Sequence, residues 1–418
     1  MTTRASVEAA WRTEAPRLIG GLVRIVRDLD LAEDLAQEAL LAALEKWPET
    51  GIPDNPGAWL MATAKNRAID RARRQRTRDD HAAQAAPPSA FVPDPETAID
   101  EDVGDDLLRL ILVACHPVLS RDARVALTLR LLGGLSTAEI ARAFLTPDAT
   151  IAQRIVRAKR TIAEARVPFE VPRGEALAER IPAVLEVVYL IYNEGYAASR
   201  GDDWMRLELC DDAMRLGRVL CRLVPDHAEA HGLLALMELQ SSRARARTTP
   251  TGEPILLLDQ DRSRWDQLLI QRGFAAFARA AELAKPLGPY TLQAAIAALH
   301  ARARRAEDTD WNRIVALYDA LVALTGSPVV ELNRAVAVWM AYGAAQALDL
   351  VDELRDEPAL KGYHLLHAVR GQLLDRLARH AEAAEEHERA AALAGNERER
   401  TLLEARARTS RLLEKTGG

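Results

Sequence analysis

Two proline-bearing interruptions decide what this chain can fold into. From Arg78 to Asp106 apolar residues are few, Pro87-Pro88-Ser89 and Pro93-Asp94-Pro95 remove backbone donors, and an acidic run ends at Asp105-Asp106. Such composition reads as a linker. Pro168 and Pro172 break helical patterning a second time, between Val167 and Gly174. Elsewhere Ala, Leu, Arg and Glu dominate and aromatics reach only 5%, which favours helices over sheet. The expectation is an all-α chain in four parts: residues 1–80, a linker over 81–104, residues 105–170, and a long helical region over 175–418.

At 418 residues the chain is long enough for two to four domains, and 49% hydrophobic with 28% charged residues excludes disorder as its main state. A net charge of −6 does not announce a nucleic-acid binder, so any charge that grips DNA has to be local. Cys115, Cys210 and Cys221 are odd in number and widely spaced, which predicts buried, reduced thiols and no zinc site. Met1 to Ala10 lacks a basic segment followed by an apolar run, and no stretch approaches about 18 apolar residues, so neither a signal peptide nor a membrane span is expected. A soluble cytoplasmic protein follows.

In the first part, Asp30 is placed to cap a helix over Leu31–Lys46, after which Pro48, Gly51, Pro53 and Pro56 force a loop. A further helix begins near Asn55, with Pro56 in its permitted first turn, and runs to about Arg76. From Lys65 to Arg78 it carries seven cationic residues, Lys65, Arg67, Arg71, Arg73, Arg74, Arg76 and Arg78, against one acid, Asp70. That density suits several phosphates, and Trp59 could stack on an exposed base. The same residues also suit a solvated basic helix with Trp59 packed inward.

The second part predicts helices over Leu107–Leu119 and Arg121–Leu132, then two short ones. Ser136 and Glu139 form a capping box, Ile140, Ala143 and Phe144 share an inward face, Thr146-Pro147 stops the helix, and Asp148 caps the next. Short helix, tight turn and a second helix presenting Gln153, Arg154 and Arg157 make a helix-turn-helix arrangement, whose second helix fits a major groove. A purely structural helical hairpin is the alternative.

Taken together, Ala32-Glu33-Asp34-Leu35-Ala36-Gln37-Glu38, the run from Trp59 through Lys65-Asn66-Arg67 and Asp70 to Arg73-Arg74, and Gly134-Leu135-Ser136-Thr137-Ala138-Glu139-Ile140-Ala141 resemble, in order, the extracytoplasmic-function sigma factors of bacterial RNA polymerase. The resemblance begins at Trp11 and covers the first two modules. It implies that Asp34, Gln37 and Glu38 dock on the clamp helices of the β′ subunit of core RNA polymerase, with the β flap as a second contact. It implies that the loop Trp47 to Gly57 captures a flipped base of the minus-10 element, a base edge not readable inside a duplex. Trp47, Trp59, Lys65, Asn66, Arg67, Arg73 and Arg74 are then the minus-10 set, holding the melted strand and upstream phosphates. Thr150, Gln153, Arg154 and Arg157 are the minus-35 set, with Thr150 and Arg154 on phosphates and Gln153 and Arg157 reading bases. The proline-rich loop and Ala152, where many relatives carry a basic residue, depart from the family pattern. Members melt promoters with binding energy in the holoenzyme, so no cofactor, metal or ATP site is implied.

The remaining region shows a degenerate repeat. Ala213, Gly217, Leu220 and Pro225 fall at the same offsets as Ile314, Tyr318, Leu321 and Gly326, and as Ala383, His387, Ala390 and Gly395. Leu348 lies 34 residues after Ile314 and 35 before Ala383. A period near 34 resembles tetratricopeptide (TPR) helix pairs, with a non-repetitive bundle as the alternative. Sigma factors with such a tail form a sub-group, which implies regulation within the chain, through a protein partner or the sigma modules themselves. Thr248 to Trp265, with Tyr192 to Tyr196, either lines a groove or braces the first repeats. His364 and His367 lack ligand-spaced companions. No phosphate loop, nucleophile elbow or His–carboxylate pair argues for an enzyme. A stand-alone helix-turn-helix regulator is the competing class, but it leaves the Asp34–Glu38 face and the Trp59–Arg74 element unexplained.

Overall fold

The computed structural model of the chain describes residues 3–82, 103–144, 146–197, 205–249 and 253–416. These residues are helical throughout, with one isolated bridge between Thr248 and Pro254 and no named strand among them. They divide into two compact units, Met1–Leu190 and Ile191–Gly418.

In the first unit, α1 (Thr3–Val26), α2 (Leu29–Thr50) and α3 (Pro56–Ala82) pack on one another around Leu18, Leu22, Leu35, Ala39, Ala43, Trp47 and Leu60. The cap of α2 is Asp28, whose carboxylate accepts from the Leu31 amide at 2.9 Å. Asp30, expected as the cap, lies inside the first turn. Helix α2 also continues through Pro48 to Thr50, where Gly51 at φ 82° ends it. A proline this near a C-terminus removes one bond without stopping the last turn. Asn55 caps α3 as expected, accepting from the Ala58 amide at 3.0 Å. The linker expected over 81–104 falls mostly on residues 83–102, outside the described residues.

The second module comprises α4 (Val103–Ala114), α5 (Arg121–Leu131), α6 (Thr137–Phe144) and α7 (Asp148–Glu164). Its core is Leu110, Ile111, Leu127, Leu129, Ile140, Ile151, Ile155 and Ile162. The capping box forms in both directions: the Ser136 amide donates to Glu139 at 2.7 Å, and the Glu139 amide donates to the Ser136 hydroxyl at 3.2 Å. At the start of α7 the cap position is Pro147, with no side-chain bond, and Asp148 is the first helical residue. An acid there still opposes the positive end of the helix dipole. The first unit extends past Pro172 into α8 (Glu175–Tyr196), where Glu186 meets Arg121 at 3.4 Å and Arg124 at 3.2 Å.

The second unit continues with α9 (Leu207–Leu223), α10 (Ala228–Ser241), α11 (Gln267–Leu283), α12 (Pro289–Arg302), α13 (Trp311–Thr325), α14 (Pro328–Tyr342), α15 (Ala344–Glu353), α16 (His364–Arg376), α17 (His380–Leu393) and α18 (Glu397–Thr416). From α12 onward each helix packs on the next. A continuous core of Ile314, Leu332, Leu348, Val351, Leu373 and Ala383 runs from α13 to α17. The first register positions of the expected repeat, Ala213, Ile314, Leu348 and Ala383, fall on α9, α13, α15 and α17 and are buried, whereas Pro225, Gly326 and Gly395 follow the ends of α9, α13 and α17. Close approach is enforced by small side chains: a Cβ on Gly232 would stand 2.9 Å from the Thr291 backbone nitrogen.

The loop from Thr248 to Trp265 is tied down at both ends. The Ile255 amide donates to the Arg247 carbonyl at 2.7 Å, and Arg262 donates to the carbonyls of His300 and Ala303 at 2.6 and 2.8 Å. Arg247 stacks on the Tyr196 ring, which in turn stacks on Tyr192. These contacts are bracing. All three cysteines are free and buried, and burial pushes the Cys115 thiol up to about 11 and those of Cys210 and Cys221 to about 12.

Candidate nucleic-acid interface

Helix α7 is built as a two-sided element. Ile151, Ile155, Ala158 and Ile162, spaced four, three and four, face the core, and the opposite side exposes Gln153, Val156, Arg157 and Arg160. Thr150 is exposed at its start. Gln153 and Arg157 are therefore exposed on the same face. Arg154 is turned aside and half-buried, with its guanidinium 3.2 Å from Asp122. Arg160 joins the exposed face and was missed in the sequence reading, although its spacing of three from Arg157 carries the signal. Its hydrogen bond to Glu164 raises its pKa.

The α2–α3 surface holds the second set. Asp34 is exposed, whereas Gln37 and Glu38 are half-buried and engaged: Gln37 donates to Glu33 at 2.8 Å, and Glu38 accepts from Arg67 at 3.0 Å. Thus Arg67 of the minus-10 set and Glu38 of the docking set form one ion pair. Asn66 is exposed, and Trp59 and Lys65 are partly so. Burial, with Arg24 close by, lowers the Lys65 pKa. Arg73 and Arg74 lie on α3, but their side chains fall outside the described residues.

Trp47 requires a correction. It is 1% exposed, enclosed in the core of the first module, with its ring 5.4 Å from that of Trp59 in an edge-on arrangement. Because α2 runs on past Pro48, Trp47 is a helical core residue and not part of an exposed loop. It is removed from the DNA-contacting set.

In the second unit, fold-borne carboxylates meet the histidine pair: His367 bonds Glu386 at 2.6 Å and His364 lies 3.0 Å from Glu399. Among the described residues no group of three or more His, Cys, Asp or Glu side chains is arranged to hold a metal. No helix among them is long and apolar enough to cross a membrane.

Comparison with known proteins places the chain in a family. Residues 10–78 match Sigma-70 region 2, residues 109–162 match Sigma-70 region 4, and residues 180–281 match a family of unknown function (DUF6596). An uncharacterized protein of Rhizobium meliloti is 45% identical over 95% of this chain and 94% of its own length. The probable ECF RNA polymerase sigma factor SigI of Mycobacterium tuberculosis is 31% identical over 50% of this chain and 69% of its own. The RNA polymerase sigma-H factor of Pseudomonas aeruginosa is 30% identical over 37% and 82%. With both sigma regions present in order and relatives of this identity covered over most of their length, the chain belongs to the extracytoplasmic-function family of RNA polymerase sigma factors.

Proposed function

We propose that this chain is an alternative sigma subunit whose second helical unit, a TPR-like scaffold, regulates it in the cytoplasm. In this reading Asp34, Gln37 and Glu38 dock on the β′ clamp helices of core polymerase, the second module reaches the β flap, and neither step is enzymatic. Trp59, Lys65, Asn66, Arg67, Arg73 and Arg74 hold the melted minus-10 strand, with bases of that element entering the loop that follows α2. The minus-35 element is read by Gln153 and Arg157, with Thr150 and Arg154 on phosphates. The observation that carries the reading is α7, where a packed apolar face fixes an opposite face exposing one glutamine and two arginines.

The test is run-off transcription on fragmented genomic DNA with core polymerase and the full chain. Transcripts should share an upstream element at a fixed distance, and Arg157→Ala should cost about 1–3 kcal/mol of discrimination at one base position of it. Specific binding of a duplex by the chain alone, with no polymerase-dependent transcript, would favour the stand-alone regulator.

A further inference from the structure

Within the second unit, the contacts that brace the Thr248–Trp265 loop gather positive charge around two aromatic rings. Arg243, just past α10, donates to the Tyr196 hydroxyl at 2.5 Å, and its guanidinium carbon lies 5.9 Å from the Tyr196 ring centre and 5.8 Å from that of Trp265. Arg247 stands 3.8 Å over the Tyr196 ring, and Arg262 lies 5.0 Å from the Trp265 ring centre. His300 of α12 is tied to the same place through its carbonyl, which accepts from Arg262 at 2.6 Å. Burial lowers the pKa of Arg247, Arg262 and His300, and in each case Arg243 lowers it further. Arg243 is thus the cation around which the other basic groups crowd. Like charges brought together in a partly buried place repel one another unless an opposite charge joins them.

Among the described residues no carboxylate lies within ion-pairing distance of Arg243 or Arg262. Arg243 is bonded to a neutral phenol, and Arg262 spends its terminal nitrogens on the carbonyls of His300 and Ala303 and on the Thr309 hydroxyl. Glu307 and Asp308 act on Arg262 only from a distance and are engaged by Arg305 at 3.9 and 3.2 Å. Polar atoms buried in the same place are also unused: Arg262 Nε, Trp265 Nε1, Gln260 Oε1 and His300 Nδ1 have no hydrogen-bond partner. Trp265 is only 4% exposed and Gln260 8%. Buried polar groups without a partner are uncommon, and several in one locality point to a ligand that satisfies them.

The unused groups define the ligand's chemistry. Arg262 Nε and Trp265 Nε1 are donors, Arg243 has further N–H groups, and Tyr196, whose oxygen accepts from Arg243, keeps its own hydrogen to give. Arg243, Tyr196, Arg262 and His300 are partly exposed, so the cluster opens to solvent. A matching ligand brings about two negative charges and several acceptor oxygens, which a phosphate group does. Guanidinium forks fit its geometry as well as its charge. Gln260 Oε1 can accept the remaining hydrogen of a singly protonated phosphate. We infer that Arg243 and Arg262, with Trp265 and Tyr196, form a binding site in the second unit for a phosphate group, free or carried on a small ester. The site is separate from the polymerase and promoter contacts proposed above and is tested without either.

The experiment uses the full chain labelled with nitrogen-15 at the indole of tryptophan, with the Trp265 cross-peak identified by its loss in Trp265→Phe. Inorganic phosphate is titrated against sodium chloride of equal ionic strength, and the thermal midpoint is followed in parallel. Phosphate should shift the Trp265 peak saturably and raise the midpoint, and chloride should do neither. Arg243→Gln should weaken phosphate binding by about tenfold while keeping at least the parental midpoint without phosphate, since it removes a repelling charge. Tyr196→Phe, which keeps the ring beneath Arg247 and guards against a variant that fails to fold, should weaken binding by about threefold. A ribonucleoside monophosphate is the second probe: tighter binding than inorganic phosphate assigns the site to an ester whose base packs on the aromatic rings, and equal binding assigns it to the phosphate alone. A parent in which neither probe acts beyond the chloride control would overturn the site. Folded Arg243→Gln and Tyr196→Phe chains that bind phosphate with parental affinity would also overturn it and leave Arg243 a bracing residue.

Discussion

At the residue scale, environment sets what each side chain can do. Trp47 and Trp59 are both aromatic and adjacent in space, yet one is sealed in the core and the other keeps an exposed edge. Trp47→Ala should therefore act through stability, costing about 3–5 kcal/mol in urea unfolding of the first unit. If it left the unfolding midpoint unchanged and lost only promoter melting, Trp47 would belong back among the base contacts. His300 is a second case. Burial, reinforced by Arg243 and Arg262, lowers its pKa to about 3, so the folded second unit holds it neutral. Above about 6.5 both folded and unfolded states are neutral and nothing is lost. As pH falls from 6.5 towards 3 only the unfolded chain takes up the proton, and stability drops by about 1.4 kcal/mol per pH unit at most. His300→Phe, which preserves the edge-on contact with Trp311, should flatten the thermal midpoint over that window. A parental pH profile in the variant would refute it.

At the scale of elements, local chemistry decides where helices begin and how closely they pass. The reciprocal capping box at the start of α6 satisfies two amides, so Ser136→Ala should cost about 1 kcal/mol. Gly232 and Gly217 separate two kinds of close approach. A Cβ at Gly232 meets the backbone of Thr291, which cannot move aside, whereas at Gly217 it meets the Met237 methyl at 2.7 Å, the far end of a flexible chain. Gly232→Ala should cost about 1–3 kcal/mol and Gly217→Ala clearly less, read from urea midpoints. Equal costs would contradict the distinction. Much of this level was legible in the sequence: the capping box, the Asn55 start and the succession of a short helix, a turn and a second helix over α6 and α7 all follow local rules. The cap of α2 was misplaced by two residues because Asp28 and Asp30 are equivalent as local signals, and only the native helix start separates them. Trp47 was misread because Pro48 looks like a terminus when the last turn can in fact absorb it. The ion contacts of Glu33 with Arg130 and Lys159 could not have been read, since these partners lie 97 and 126 residues away and nothing local marks them.

For the whole molecule, the chain joins two modules of like construction. In the proposed reading each presents a polar surface, α2–α3 to polymerase and melted strand and α7 to the groove, and each has an apolar face that positions it. Within the first unit the two modules meet through close helix packing and through ion contacts of Glu33 with Arg130 and Lys159. The second unit supplies sequential helix packing from α12 onward. The central claim is that this assembly is a polymerase subunit. Its most direct test is equilibrium binding of the full chain to purified core RNA polymerase, comparing the parent with Asp34→Arg/Glu38→Arg. The account predicts a stoichiometric complex with the parent and none with the double variant at the same concentrations. A parent that forms no complex, or a double variant that binds with parental affinity, would contradict it.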